Sequence, residues 1–235
     1  MRLLVVAFLL ASAPLVAFPS CASTPGAQPH DMGAAQHEVM AANEETTAEH
    51  HAAQYDPDAS VKRERCNRGA CWTSITNPTA EHLDLAKRHR KMAADHRAAS
   101  QALRDAEARA CGGISDDDRD ESPFAHREDI TKVEPLTEAT ISGKSQMTRT
   151  VGAVITFRAL PGMTAQWLQR VVDCHVARNA ALGHDVPEMS YCPLVAKDVT
   201  AKVTGTDIGF AVAIRSDDAA TATETLKRAR ALVAR

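Results

Sequence analysis

The chain has 235 residues, 27 of them basic and 30 acidic, for a formal net charge of −3, and aromatic side chains make up only 4%. That balance argues against nucleic acid as a partner, which would call for a broad basic face. So few aromatics argue against a large aromatic core, and the length suits one or two modest domains.

Residues 1–20 read as an export signal. Arg2 supplies the positive start, Leu3 to Val16 form an apolar run, and small residues with a cysteine follow in Phe18-Pro19-Ser20-Cys21-Ala22-Ser23-Thr24. The run falls short of the ~20 apolar residues that a membrane span needs. This segment resembles the lipobox of bacterial lipoproteins, in which the cysteine is lipidated and becomes the first residue. Phe18 stands where that family usually carries Leu, and the resemblance ends by Thr24. It implies a lipoprotein of a Gram-negative bacterium, held to a membrane of the cell envelope through lipid on Cys21. Ala22 rather than aspartate after the cysteine resembles lipoproteins sorted to the outer membrane. The alternative is an ordinary secretory signal cut after Ala22. Removing residues 1–20 takes away only Arg2, leaving 26 basic against 30 acidic residues and a net charge near −4.

Residues 21–29 read as a tether and 30–113 as an antiparallel helical hairpin. Helix formers run from His30 to Tyr55 and stop at Asp56-Pro57-Asp58. Residues 56–78 look irregular and basic. Asn77 then caps a second helix with Pro78 in its first turn, and Gly112-Gly113 ends it after Cys111. Residues 114–147 read as an acidic linker, and 148–235 as a small α+β domain. There, a strand from Val151 to Leu160 leads through Pro161-Gly162 into a helix whose Trp167, Leu168, Val171, Val172 and Val176 recur at helical spacing. A hairpin from Val199 to Arg215 follows, and Ser216 or Asp217 caps a last helix. The expected fold class is α+β: a helical hairpin followed by a βαββα sandwich, similar to a partial ferredoxin-like unit.

The most specific pattern is a histidine stripe. His30, His37 and His51 share one heptad phase, with Glu44 filling the missing step, and His82, His89 and His96 do the same on the second helix. Paired residues in an antiparallel hairpin have a constant sum of numbers, set by the loop centre near 66 or 67. A sum near 133 pairs His51 with His82, Glu44 with His89, and His37 with His96. Protonation below about pH 6 is then expected to loosen the two His–His layers through like-charge repulsion. Two readings of the stripe stay open. The imidazoles can act as polar seam residues that fix register, or, with Met40 and Met92, as ligands for copper or zinc. Each layer offers two ligands where a closed zinc site needs four.

Five cysteines follow Cys21, so at least one is left over. Cys66 with Cys71 and Cys174 with Cys192 are the expected disulfides, which leaves Cys111, at the far end of the second helix from the 66–71 loop, as the odd thiol. Asp116, Asp118 and Asp120 begin like a calcium loop, but Glu121 and Arg127 occupy the positions of its glycine and closing glutamate. His37-Glu38 begins like a zincin motif and fails at Ala41. No reaction is assignable. The expectation is an envelope lipoprotein of structural or interaction type that presents a surface to an envelope protein and needs no cofactor. The alternative is a periplasmic copper- or zinc-binding protein.

Overall fold

A computed structural model describes residues 31–142 and 145–234; the expected signal and tether, Cys21 and His30 lie outside them. The fold is α+β. Helices α1 (Ala34–Gln54) and α2 (Ala80–Ala110) pack antiparallel along their lengths. Small residues at seven-residue spacing make this possible: Ala34, Ala41 and Ala48 on α1 and Ala86, Ala93 and Ser100 on α2 are all buried. The Ser100 hydroxyl donates to the Ala34 carbonyl at 2.9 Å, which fixes one end of the seam.

The loop expected between the helices is itself ordered. Strands β1 (Val61–Asn67) and β2 (Ala70–Thr76) form an antiparallel ribbon, with Cys66 opposite Cys71. The disulfide between these two is present, with Cα atoms 4.1 Å apart. Arg68 (φ 50°) and Gly69 (φ 84°) make the turn, the positive-φ pair of a tight two-residue hairpin.

The segment 114–147 is not a linker. It holds the short helix α3 (Asp116–Asp120), the buried Phe124 and the strand β3 (Ile130–Ser142). Then come β4 (Ser145–Arg158), α4 (Ala165–Ala181), β5 (Thr200–Thr206), β6 (Gly209–Arg215) and α5 (Ala219–Val233). The second unit is therefore ββαββα, one strand longer than the sequence suggests. Its sheet is antiparallel throughout in the order β3-β4-β6-β5, so that β4 and β5 run parallel with β6 between them. Helices α4 and α5 both pack on the sheet. Ile155, Phe157, Val212 and Ile214 meet Leu168, Val172, Ala229 and Leu232 in one core. Phe124 closes it, stacked 5.7 Å from Phe157. The cap of α5 is Asp218, whose carboxylate accepts from Thr221 N–H at 2.7 Å, one residue past the expected Asp217.

The two units are fastened at the C-terminal end and at the middle of α4. At its C-terminal end Gly183 (φ 72°) and Gly33 pass so closely that a Cβ on Gly183 would stand 2.7 Å from the Gly33 nitrogen. Nearby, buried Asp31 pairs with Lys197 at 3.0 Å. Farther along the helix, Cys174 is bonded to Cys111 at the end of α2. This corrects the expected Cys174–Cys192 pairing: among the described residues Cys192 is the free cysteine, buried in the sandwich core, and Cys111 is not the odd thiol. The reason lies in α4, which is covered on two sides. Leu168 and Val172 face the sheet, while Cys174 meets Cys111 and Arg178 pairs with Glu107 of α2 at 3.4 Å.

Candidate functional site

The α1–α2 seam is built of alternating layers. Every seven residues a pair of small side chains lets the helices approach, and midway between these layers the heptad places longer polar side chains opposite each other. The structure brings together all three expected pairs. His37 Nδ1 lies 2.9 Å from His96 Nδ1, and His51 Nδ1 lies 3.1 Å from His82 Nδ1. In each pair one ring's Nδ1–H donates to the bare Nδ1 of the other. Between them, His89 Nδ1 donates to Glu44 Oε2 at 2.6 Å, a hydrogen bond of charge-assisted length. His37 is buried, and the other five side chains are half-buried.

One end of the seam is richer than its layers imply. The His51 ring stacks on His82 at 5.4 Å and on His89 at 5.5 Å, with His50 at 5.9 Å. Side chains on a helix lean toward its N-terminus, so in an antiparallel pair His51 and His89 lean toward each other. Sequence spacing alone assigns His51 to one partner and misses this cluster. Met40 is half-buried and Met92 is 38% exposed, each one residue before a buried alanine of the seam and outside the rows that carry the imidazoles.

Partial burial is the main cause holding the His51 pKa below its ordinary value of 6.5, with His82, His89 and His50 adding repulsion. Burial does the same to His175, whose Nε2–H donates to the Asp118 carbonyl at 2.9 Å. It does so again to His184, whose Nδ1–H donates to the Val195 carbonyl at 3.1 Å. A histidine whose folded pKa is depressed is held neutral by the fold. Its stabilising contribution is complete above the unfolded value near 6.5 and is lost as pH falls through the folded value. Carboxylates held low by their partners, such as Asp218 and Glu224, act only below the ordinary carboxylate range. Between pH 6.5 and 5 the histidines therefore dominate. The urea midpoint is expected to fall between pH 7.5 and 5 and to fall less in His51→Gln. Equal midpoints at the two pH values would rule out neutral, fold-held histidines.

Among the described residues, one group of three cysteine, histidine or carboxylate side chains lies close enough to share an ion: Glu64, Cys66 and Cys71. Both of its thiols are tied up in the disulfide. The stripe instead presents ligands in twos. Elsewhere, a cleft of about 110 Å³ lies between α3 and α4, lined by residues including Asp118, His126, Met163 and Trp167. Such a volume is well below the ~300 Å³ of small ligand sites. Burial pushes the Cys192 thiol up, away from the reactive thiolate form. Comparison with family models, with curated proteins and with solved structures returns no match.

Proposed function

We propose that the chain is an exported envelope lipoprotein of structural or interaction type, anchored through lipid on Cys21. The observation that carries this reading is the pair of disulfides, Cys66–Cys71 and Cys111–Cys174. Such bonds form and persist in oxidising compartments, where the signal in residues 1–20 would deliver the chain. Among the described residues no helix is long and apolar enough to cross a membrane, so attachment in this reading rests on Cys21. The tether would leave from the junction of the two units, because Asp31 pairs with Lys197 just before β5. The helical hairpin then extends from that junction as a stiff arm of about 32 Å, the length of 21 residues at ~1.5 Å each. Expression in a Gram-negative host tests the proposal. The native chain is expected in the membrane fraction with a lipid-modified Cys21 at its N-terminus, and Cys21→Ala is expected in the soluble periplasmic fraction. An unmodified Cys21, or a variant that fractionates like the native chain, would sink the anchor.

A second reading is favoured by one geometric observation. The Nδ1 separations of 2.9 and 3.1 Å approach the ~3.3 Å between neighbouring ligands on a tetrahedral ion with bonds of ~2.0 Å. Zinc or copper would replace the shared proton, with His37 and His96 holding one ion and His51 and His82 another, while water or a partner completes each shell. Native mass spectrometry with micromolar zinc or copper is expected to show two ions per chain, falling to one in His96→Ala. No uptake at that concentration ends the metal reading.

A further inference from the structure

The β1–β2 ribbon stands at the end of the helical arm remote from Asp31, and its strands pack chiefly on each other. All of β1 and most of β2 are exposed. A lone two-stranded hairpin is marginal in water; here the Cys66–Cys71 bond and the Arg68-Gly69 turn hold it. It adds nothing to either core, so stability does not account for its side chains.

Those side chains are unlike the rest of the protein. Lys62, Arg63, Arg65 and Arg68 oppose a single acid, Glu64, giving the ribbon three net positive charges on a chain whose formal net charge is −3. Among the described residues no carboxylate ion-pairs with any of the four, although most other exposed cations near an acid do so. Register sorts the residues onto two faces, since directly opposed residues share a face. Arg65 opposes Trp72, with Arg63 and Ser74 next along the same face and Val61 beyond. Glu64 and the disulfide lie on the other face, together with Lys62 and Ile75. Trp72 is 50% exposed and Ile75 68% exposed.

We propose that this ribbon docks on an anionic lipid surface. Arg63, Arg65 and Arg68 would take the phosphate or carboxylate of the headgroups, and Trp72 would seat its ring at the headgroup–acyl boundary. Charge complementarity is the first argument, because anionic bilayers draw basic side chains to within a Debye length. The second is the tryptophan, whose ring has an apolar body and one donor and so favours that boundary. The third is shape: a bare two-stranded ribbon has no groove to grip a peptide, whereas a fluid surface needs none. This contact lies an arm's length from the N-terminal end of α1 and stands whether or not Cys21 is lipidated.

The test uses the chain from residue 22 onward, which keeps every described element and lacks both Cys21 and the apolar run. Trp167→Phe leaves Trp72 as the sole tryptophan, since the chain has two. With vesicles of phosphatidylglycerol and phosphatidylcholine, co-sedimentation and a blue shift of Trp72 emission are expected, both weakening with added salt. Phosphatidylcholine vesicles alone should give neither. Arg63→Gln with Arg65→Gln should lower partitioning about 25-fold, at roughly fivefold per arginine, with an unchanged melting temperature because both residues are exposed. Binding without a Trp72 shift, binding retained by the double variant, or no binding would each overturn the proposal. The last holds even if the ribbon captures an acidic protein.

Discussion

Replacing Cys111 and Cys174 with serine is expected to lower stability by about 4 kcal/mol, the largest loss from removing any one cross-link in the molecule. The bond joins residues 63 apart in sequence, so it closes a long loop in the unfolded chain. It is also the covalent tie between the end of α2 and the outer side of α4. Around it the contacts are polar and modest: Arg178 reaches Glu107 at 3.4 Å, and Arg170 donates to the Gly112 carbonyl at 2.7 Å. A partly buried ion pair and a hydrogen bond of this kind contribute about 1 kcal/mol each. They cannot replace the bond. The Cys66–Cys71 bond spans five residues, and its removal should cost only about 2 kcal/mol, confined to the ribbon. Urea unfolding followed by circular dichroism and by Trp167 emission, in a Trp72→Phe background, distinguishes the two. The Cys111/Cys174 variant should also lose coincidence of the two signals, as the helical arm unfolds ahead of the sandwich. A loss below about 1 kcal/mol, with the signals still coincident, would show that Asp31–Lys197 and the Gly33–Gly183 contact suffice.

The helical arm was legible because its pattern repeats. Three polar pairs share one sum of residue numbers, and an antiparallel hairpin turns that arithmetic into contact. The ribbon was not legible, for the opposite reason. A strand is read from burial on alternate residues, and Val-Lys-Arg-Glu-Arg-Cys-Asn has no buried face. Its turn is equally silent, since Arg68 stands at a positive φ where asparagine or glycine would be the signal. β3 was hidden by Pro135 and its charged residues, which an edge strand tolerates because one side of its backbone needs no partner. The disulfide pairing depended on packing between distant segments. Helical periodicity reveals the face of α4 that meets the sheet, and it leaves Cys174, His175 and Arg178 looking like a solvent face. That face is covered by the end of α2 and by α3. Cys192 is near Cys174 in sequence, but it turns into the core beside Leu194.

Ala93→Leu is expected to cost about 3 kcal/mol and to undo the histidine layers, although it changes none of them. Ala93 is fully buried in the seam, in the layer that it shares with Ala41. A leucine there has no void to enter, and overpacking costs about 1–3 kcal/mol in strain. The helices can relieve that strain only by moving apart, and the flanking layers respond to the same motion. On one side the His37–His96 contact is 2.9 Å, and on the other the Glu44–His89 contact is 2.6 Å. A shift of 1 Å or so takes both beyond hydrogen-bond reach, adding about 1 kcal/mol for each half-buried bond left unmade. Ala94→Leu, one residue away on the exposed side of α2, is the matched control and should be close to neutral. The imidazole nitrogen signals of His37 and His96 provide the direct readout, since separation breaks the hydrogen bond between their Nδ1 atoms. If Ala93→Leu melts with the native protein and leaves those signals unchanged, the close approach of the helices is not what sets the imidazole pairs. The alanines and the histidines would then be separate features. If it behaves as expected, the small residues are the positioning element for every ligand or proton the seam can hold.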